Sequence, residues 1–357
     1  MINLKKHTIY KSAFFLGCLT SLLACNTSNA ETSTQSKNVT ITAVGDIMIG
    51  SDFPNDNFLP NDDAVNSFAK VKPYLKGDIV FGNLEGVLAN GGSSSKCGSS
   101  NKCFAFRMPE RYASIIKQAG FNVLSTANNH SGDFGNDGRE KTRKALDRIG
   151  IHHAGHIEKH KAVFTINGIK YGFVAFAPNT NMLSINDITA AQNIVSTLKA
   201  SADIVIVSFH GGAEGAQYTR VPKQKEMFLG ENRGDVYKFA HSVIDSGADI
   251  VLGHGPHVTR AVELYKNKFI AYSLGNFNTY GQFNLKGVNG VSPILTINLT
   301  PQGNFINAKV ISTKQTKENG LQLDSQNQAF SELKRLTQAD FPNTQLLFRN
   351  NTISIKK

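Results

Sequence analysis

The sequence predicts an α/β domain. From Val39 onward, short runs of β-branched and aromatic residues alternate with polar loops and helical stretches. Predicted strands cover residues 39–44, 78–81, 122–125, 171–177, 203–209, 249–252 and 269–272. Apolar residues spaced three and four apart predict helices over residues 111–119, 139–149 and 236–246. Strands that alternate with helices in this way indicate an α/β class.

The composition favours one domain with a sizeable core. The chain has 357 residues, of which 40% are hydrophobic and 18% charged. This balance excludes a disordered polyelectrolyte, a collagen-like fibre and a disulfide-dense miniprotein. Beyond Val291 the pattern predicts an antiparallel hairpin over 294–299 and 305–311, a helix around 331–336 and a final strand. We expect one domain over residues 39–357, with a polar tether over 25–38.

The first thirty residues have the layout of an export signal. Lys5, Lys6 and Lys11 precede a short apolar run at residues 13–19, and residues 1–24 form the predicted signal peptide. Leu22-Leu23-Ala24-Cys25 resembles a bacterial lipobox, in which Cys25 would carry the lipid. The alternative cut follows Ala30 and would release a soluble periplasmic or secreted protein. Both cuts predict export to the cell envelope, and the lipobox predicts attachment to a membrane.

Charge and cysteine usage fit an exported protein. Loss of residues 1–24 would lower the formal charge from +11 to +8, because three lysines and no acidic residue lie there. Such a basic excess suits a polyanionic partner, and outside the cytoplasm nucleic acid is a poor candidate. Capsule polymer, teichoic acid and phospholipid headgroups remain. Cys97 and Cys103 lie six apart in a loop-forming run and predict a disulfide, with a metal site as the alternative.

Side chains that bind metals follow five of the predicted strands. They are Asp46, Glu85, the group Asn128-Asn129-His130, His210, and the pair His254 and His257. Because the carboxyl ends of strands in α/β sheets meet at one crevice, we expect these residues to converge. Carboxylates with imidazoles and an amide oxygen suit Mn, Zn or Fe better than Ca. Two such ions would share one carboxylate and activate a water for attack.

The motifs around these residues resemble one family. They are Gly-Asp-Ile-Met (45–48), Gly-Asn-Leu-Glu (82–85), Ala-Asn-Asn-His (127–130), His-Gly-Gly-Ala-Glu (210–214), Gly-Ala-Asp-Ile-Val-Leu-Gly-His-Gly-Pro-His-Val (247–258) and Tyr-Ser-Leu-Gly-Asn-Phe (272–277). Together they resemble the CapA family of poly-γ-glutamate capsule synthesis proteins, which is similar in fold to calcineurin-like metallophosphoesterases. The resemblance spans about residues 39–290. It implies an α/β/β/α sandwich with mixed sheets.

The resemblance also implies a role for each site residue. Glu85 would bridge two metal ions, Asp46 and His257 would complete one ion, and Asn129, His210 and His254 the other. His130 would protonate the leaving group. The residues expected to contact the substrate are Arg220, Arg233, Glu214 and Asn128. Arg220 and Arg233 belong to a basic stretch with Lys223 and Lys225, which forms either an anion-binding rim or a solvated loop.

Two positions depart from the family pattern. Met48 stands where a metallophosphoesterase would have a histidine ligand, so the first ion would bind more weakly or be absent. Gly211 stands where the resemblance implies a tryptophan, and residues 223–234 have the character of an insertion. We therefore expect one or two ions.

Two functions from different classes remain open at this level. The first is a metal-dependent hydrolase that cleaves a phosphoester or a γ-glutamyl bond of an anionic polymer. The second is a non-catalytic factor that binds a polyanion and works with other capsule synthesis proteins. Simpler interpretations also exist: Asp46 as a helix cap, Asn128 and Asn129 as turn residues, and His254 and His257 as packed loop residues. A further run, His152, His153, His156 and His160, is expected to be solvent-exposed.

Overall fold

The computed structural model describes residues 37–94, 96 and 104–356. The predicted signal peptide, the lipidation candidate Cys25, most of the tether and the predicted Cys97–Cys103 disulfide lie outside these residues, and remain predictions. From Lys37 onward the chain forms one compact unit. Among the described helices, none combines the length and the apolar character needed to cross a bilayer.

The described residues form 21 strands and five α-helices. The helices are α1 (Tyr112–Ala119), α2 (Gly135–Arg148), α3 (Ile188–Lys199), α4 (Val236–Asp245) and α5 (Gln328–Asp340). The strands are β1 (Val39–Met48), β2 (Ile79–Leu84), β3 (Val87–Leu88), β4 (Arg107–Met108), β5 (Val123–Ser125), β6 (His152–Ala154), β7 (Lys161–Ile166), β8 (Ile169–Ala177), β9 (Leu183–Ser184), β10 (Ile204–His210), β11 (Met227–Phe228), β12 (Glu231–Asn232), β13 (Ile250–His254), β14 (Val262–Tyr265), β15 (Lys268–Ala271), β16 (Asn276–Thr279), β17 (Val291–Leu299), β18 (Phe305–Thr316), β19 (Gly320–Leu323), β20 (Leu346–Arg349) and β21 (Thr352–Ile355).

Most strands belong to two mixed sheets. The first sheet has the order β20-β21-β18-β17-β1-β2-β5-β6, with β16 also beside β1 and β19 beside β18. Its β1, β2, β5 and β6 are parallel, whereas β17, β18, β20 and β21 run antiparallel to their neighbours. The second sheet has the order β14-β15-β13-β10-β8-β7, with a parallel centre and antiparallel edges. The predicted hairpin after Val291 is β17–β18.

The two sheets face each other and helices cover their outer faces. Buried residues of both sheets, such as Phe81 and Phe173, form the core between them. Tyr112 of α1 and Leu146 of α2 pack on the outer face of the first sheet. Val195 of α3 and Phe239 of α4 pack on the outer face of the second. These four layers confirm the α/β/β/α sandwich with mixed sheets that the resemblance implied.

The expectation of a solvent-exposed histidine run is wrong at two of its positions. His153 and His156 are buried. His152 stacks on Phe164 with ring centroids 3.9 Å apart. For His153 the physical reason is that residues 152–154 form β6, which pairs with β5 and places its side chains alternately on its two faces. His156 lies beyond β6 and is buried where it forms an isolated bridge with Met182. The run therefore contributes to packing at the edge of the first sheet.

The buried His156 predicts that the protein loses stability in acid. Burial, with Arg139 nearby, lowers the pKa of His156 to about 3, whereas an unfolded histidine titrates near 6.5. Between these values the unfolded state binds a proton that the folded state excludes, so the free energy of unfolding should fall as the pH drops. His156 alone should contribute up to about 1.4 kcal/mol per pH unit to the dependence of the free energy of unfolding on pH. When that free energy is measured by urea unfolding between about pH 6.5 and 4.5, it should depend less steeply on pH in His156→Gln than in the wild type. Equal slopes in the two proteins would contradict the prediction.

Candidate metal centre

The carboxyl ends of four strands meet at one edge of the sandwich. β1 and β2 come from the first sheet, and β10 and β13 from the second. Asp46, Glu85 and His210 each offer a ligand atom there, and these atoms lie within 4.8 Å of one another. All three side chains are buried. These three side chains therefore converge, as the strand ends predicted. They come from two sheets and not from one.

A glycine allows Asp46 to reach this edge. Gly45 lies so close to β16 that an added Cβ would sit 1.8 Å from the carbonyl oxygen of Gly275. The backbone N–H of Asp46 donates to that oxygen at 2.9 Å. Asn83 of the neighbouring β2 donates its amide to Asp46 Oδ1 at 2.8 Å and to Glu85 Oε2 at 3.3 Å. One side-chain amide thus fixes both carboxylates.

His257 lies between the two carboxylates. Its Nδ1 is 3.0 Å from Asp46 Oδ2 and 3.1 Å from Asn276 Oδ1, and its Nε2 is 3.4 Å from Glu85 Oε1. The backbone of His257 is left-handed, with φ of +58°. This conformation is unfavourable for a residue with a Cβ, and such strain is concentrated at functional sites. The turn directs the imidazole back toward β1.

His210 and His254 occupy equivalent positions on adjacent parallel strands. Both nitrogens of the buried His210 lack a hydrogen-bond partner. His254 donates from Nε2 to the carbonyl oxygen of Val44 at 3.2 Å. Because a carbonyl oxygen can only accept, this bond leaves Nδ1 of His254 unprotonated, and that atom also has no partner. A hydrogen bond that fixes the tautomer in this way is typical of metal-ligating histidines.

The electrostatics keep His210 and His254 neutral but favour a protonated His257 between the carboxylates. Burial lowers the pKa of His210 well below its usual value, and Arg233 adds to that effect. Burial also lowers the pKa of His254, although Asp46 opposes it. Burial raises the pKa of Glu85, and neighbouring Asp46 raises it further. For His257 the charges of Glu85 and Asp46 outweigh burial and raise the pKa to about 10.

The donor set fits a divalent cation. Buried polar atoms normally have hydrogen-bond partners, and unpartnered ones require an explanation. Among the unpartnered atoms of the described residues, five belong to the predicted ligands: Glu85 Oε1, Asn129 Oδ1, His210 Nδ1 and Nε2, and His254 Nδ1. With Asp46 and His257 they form a mixture of carboxylate, amide and imidazole that suits Mn, Zn or Fe. The structure brings ligand atoms of Asp46, Glu85 and His210 within 4.8 Å of one another, and metal binding by all six residues remains a prediction.

His130 lies at the cavity wall next to this set. Its Nδ1 is 2.7 Å from Asp133 Oδ2, and because a carboxylate only accepts, Nδ1 carries the proton. Lys96 pairs with the other oxygen of Asp133 at 2.6 Å. Burial lowers the pKa of His130, and Asp133 opposes that shift. This arrangement leaves Nε2 as the nitrogen that can exchange a proton with a bound molecule.

A cavity of about 890 Å³ opens over the site. Asn129, His130 and His257 line one side, and Glu214 and Arg233 another. Arg233 is buried, with its Nη1 2.9 Å from Glu214 Oε1 and 3.2 Å from Glu231 Oε2. Its Nε and Nη2 have no partner. Glu214 and Arg233 are therefore positioned as predicted, beside the ligand set.

Two predicted substrate contacts need correction. Arg220 points away from the cavity, because it pairs with Asp340 and donates to the carbonyl oxygen of Ala339 at the end of α5. Asn128 is fully buried: it donates to Asn83 Oδ1 and to the carbonyl oxygen of Leu84, and accepts from the backbone of His130. Its role is that of a turn residue that fixes Asn129 and His130. Neither side chain lines the cavity.

The two lysines of the basic stretch do not line the cavity either. The ammonium group of Lys223 lies over the rings of Tyr237 and Phe341, with distances of 5.3 Å and 4.6 Å to their centroids. Lys225 is exposed. The predicted anion-binding rim is thus reduced, within this stretch, to the buried Arg233.

The two departures from the family pattern have structural explanations. Met48 is buried in the apolar cluster outside the first sheet, away from the ligand atoms. A Cβ at Gly211 would lie 2.9 Å from the carbonyl oxygen of Arg233 and 2.8 Å from Ile185. The next residue, Gly212, donates its N–H to that same oxygen at 2.9 Å. The small residue at position 211 therefore makes room for the segment that carries Arg233.

Several site residues were absent from the predictions. Asn83 and Asn276 lie inside the recognised motifs, so their position was a usable signal, although no role was assigned to them. Lys96 follows a serine-rich loop, and Asn179 lies in a loop between β8 and β9; neither position has a motif. Asn179 donates to Glu231 Oε1 at 2.8 Å. The contacts of Lys96 with Asp133 and of Asn179 with Glu231 join loops that meet only in the folded protein.

Comparison with known proteins adds a family and several relatives. Residues 40–280 match the family described as bacterial capsule synthesis protein PGA_cap. The chain is 32% identical over 264 residues to capsule biosynthesis protein CapA of Bacillus anthracis, covering 68% of this chain and 60% of that protein. It is 29% identical over 251 residues to PGA biosynthesis protein CapA of Bacillus subtilis (strain 168), covering 66% and 61%. The chain thus spans about 60% of the length of these curated relatives.

Solved structures show more distant similarity. A hypothetical protein from Thermus thermophilus aligns with a TM-score of 0.45 at 15% identity, covering 78% of this chain and 100% of that one. The NAD nucleotidase of Haemophilus influenzae aligns with a TM-score of 0.42 at 13% identity, covering 85% and 56%.

Proposed function

The chain belongs to the bacterial capsule synthesis protein family, and from this premise we propose that it is a metal-dependent hydrolase of the cell envelope. The bond cleaved is a phosphoester or a γ-glutamyl bond of an anionic polymer. One observation supports this proposal above the others: buried ligand atoms from both sheets converge without hydrogen-bond partners. A purely structural cluster would satisfy these atoms internally.

Six side chains would hold one or two ions: Asp46, Glu85, Asn129, His210, His254 and His257. A divalent ion at this place lowers the pKa of water and polarises the bond to be cleaved. Burial keeps His210 and His254 neutral, and the bond from His254 to Val44 leaves its other nitrogen free to bind metal. His257 and Glu85, whose pKa values are raised, would release their protons when an ion binds.

His130 would deliver a proton to the leaving group. Hydrolysis adds a hydroxyl group to phosphorus or to the amide carbon, and a proton to the leaving oxygen or nitrogen. His130 donates from Nδ1 to Asp133, which leaves Nε2 as the atom that would transfer the proton. The lowered pKa of His130 makes its protonated form a stronger acid. Arg233 would bind an anionic group of the substrate through Nε and Nη2.

The envelope location rests on the first thirty residues, whose positive start, apolar run and lipobox-like Leu22-Leu23-Ala24-Cys25 support export. Lipid attachment at Cys25 would place the domain near a membrane. Other capsule synthesis proteins are the partners that fit this location.

The proposal is tested by comparing metal content with turnover. The protein from residue 31 onward should bind one or two Mn²⁺ ions and hydrolyse bis(p-nitrophenyl) phosphate. His254→Ala should lose both properties, because a ligand is removed. His130→Ala should keep the ions and lose about 10²- to 10⁴-fold in kcat, the usual contribution of a general acid. Elemental analysis and steady-state kinetics measure the two quantities.

Three results separate the alternatives. Metal binding with normal turnover in His130→Ala would remove that residue from the mechanism. Metal binding without turnover on phosphoester and γ-glutamyl substrates would contradict the hydrolase. Absence of metal together with salt-sensitive binding of capsule polymer would favour the non-catalytic polyanion-binding factor.

A further inference from the structure

The cavity lining includes apolar side chains, which are Phe104, Phe106, Phe228, Leu229 and Phe283. Two of them remain open to solvent: Phe104 is 51% exposed and Leu229 is 92% exposed. Burying such a side chain on a ligand is favourable in proportion to the apolar area removed from water. A fully hydrophilic substrate would leave Phe104 and Leu229 in contact with water.

Leu229 lies in the two-residue turn of the hairpin formed by β11 and β12. Met227 pairs with Asn232 and Phe228 with Glu231, so the turn consists of Leu229 and Gly230. Both have positive φ, +47° and +82°. Turns of this kind favour asparagine followed by glycine, because the left-handed conformation is unfavourable for most side chains. A leucine here is costly for the backbone and gains nothing by burial in the free protein.

The hairpin is attached to the cavity wall at several points. The ring of Phe228 contacts that of Tyr218 edge-on, with centroids 6.0 Å apart. Glu231 accepts from Asn179 and pairs with Arg233. The exposed tip therefore belongs to a structured element beside the site.

Arg233 borders the same cavity, where its Nη1 pairs with the carboxylates of Glu214 and Glu231. Arg233 carries unpartnered Nε and Nη2 atoms, and its side chain is only 3% exposed. We propose that the ligand of this site is an amphiphilic anion, in which an aliphatic chain contacts Leu229, Phe228 and Phe104 while a phosphate-type group reaches Arg233 and the metal ligands. This inference rests on the proposed function and narrows its substrate class: of the two bonds proposed it selects the phosphoester, in an anion that carries a lipid chain.

Alkylphosphonates test the proposal, because their P–C bond resists hydrolysis. Methylphosphonate and octylphosphonate would be titrated by calorimetry into the Mn²⁺-loaded protein, below the micellar concentration. Octylphosphonate should bind at least about tenfold more tightly, the gain expected when one apolar side chain is buried. Leu229→Asn should weaken octylphosphonate binding about five- to tenfold and leave methylphosphonate binding unchanged. Asparagine tolerates the left-handed turn, so this variant should retain its thermal stability.

Leu347→Asn is the matched control, since Leu347 is 43% exposed on β20 and does not line the cavity. It should preserve the preference for octylphosphonate. Equal binding of the two phosphonates by the wild-type protein, failure of octylphosphonate to bind, or an unchanged preference in Leu229→Asn would each overturn the inference. Hydrolysis of bis(p-nitrophenyl) phosphate reports on the proposed function independently, so the two failures are distinguishable.

Discussion

Replacing Glu85 with glutamine is expected to abolish the stabilisation of the protein by Mn²⁺. Glu85 is fully buried, and its Oε1 atom has no hydrogen-bond partner. Glutamine has nearly the same volume and can still accept the hydrogen bond from Asn83. It lacks the negative charge that Glu85 would contribute to the binding of a divalent ion. The variant therefore removes ligand chemistry while the packing of β2 is retained.

The expected magnitude follows from mass action. A ligand that binds only the folded state at about a thousand times its Kd stabilises it by about 4 kcal/mol. Wild-type protein should show that gain on addition of Mn²⁺, and Glu85→Gln should gain less than about 1 kcal/mol. Without metal, the variant loses the charge that pairs with His257 as well as the cost of burying a carboxylate, so its stability should change by less than the Mn²⁺ response of the wild type. Urea unfolding with and without Mn²⁺ measures both differences.

Glu332→Gln provides the control for this experiment. Glu332 lies on the surface of α5 and pairs with Arg335. This variant should show the full response to Mn²⁺. A Glu85→Gln protein that gains as much stability from Mn²⁺ as Glu332→Gln would exclude Glu85 as a ligand.

The residues that gather at the candidate site could be selected from the sequence because they follow local strand patterns. Each candidate followed a β-branched or aromatic run, and the carboxyl ends of parallel strands meet at one edge. The assignment of the strands to two sheets was not contained in these patterns. Strands β2 and β10 are alike in sequence character, and only the family resemblance indicated that they belong to different layers.

The roles of neighbouring residues were harder to predict. Asn128 and Asn129 are adjacent and identical, yet Asn128 donates to Asn83 and Leu84 while Asn129 lines the cavity. The resemblance assigned Asn129 to the metal and Asn128 to the substrate, and it gave no sign that the Asn128 side chain is held inside the protein. Arg220 and Arg233 lie in the same basic stretch, but Arg220 is held by Asp340, which is 120 positions away. Such a partner is visible only after folding.

Helix α3 is an element that the sequence did indicate but the predicted helices did not include. Ile188, Ala191, Val195 and Leu198 have the three- and four-residue spacing of an amphipathic helix, and the last three are buried. The helix packs on β8 and β10 of the second sheet. Its absence from the predicted helices therefore reflects an overlooked pattern and not a limit of local sequence.

Replacing Arg260 with methionine is expected to cause a large loss of stability. Arg260 is fully buried, and its two terminal nitrogens each lie 2.8 Å from an oxygen of Glu226. It also donates to the carbonyl oxygens of Tyr218 and Ala213. Removing one partner of a buried pair leaves an uncompensated charge and typically costs about 3–5 kcal/mol. The effect should appear in urea unfolding.

This ion pair also joins the loops that build the site. Arg260 follows the loop of His257, and Glu226 accepts from the backbone of Ala213, which lies three residues beyond His210. Glu226 also exchanges backbone hydrogen bonds with Arg233 and Gly234 at the base of the hairpin. Arg260→Met should therefore weaken methylphosphonate binding as well, because the position of Arg233 is no longer fixed.

A double variant separates the charge from the packing. Arg260→Met combined with Glu226→Leu should lose less stability than Arg260→Met alone, because no unpaired carboxylate remains in the interior. Arg335→Met, which breaks a surface pair on α5, should cost less than about 1 kcal/mol. If Arg260→Met were no more damaging than Arg335→Met, the buried pair would not stabilise this region. The hairpin would then depend on its contacts with Asn179 and Tyr218 for its position.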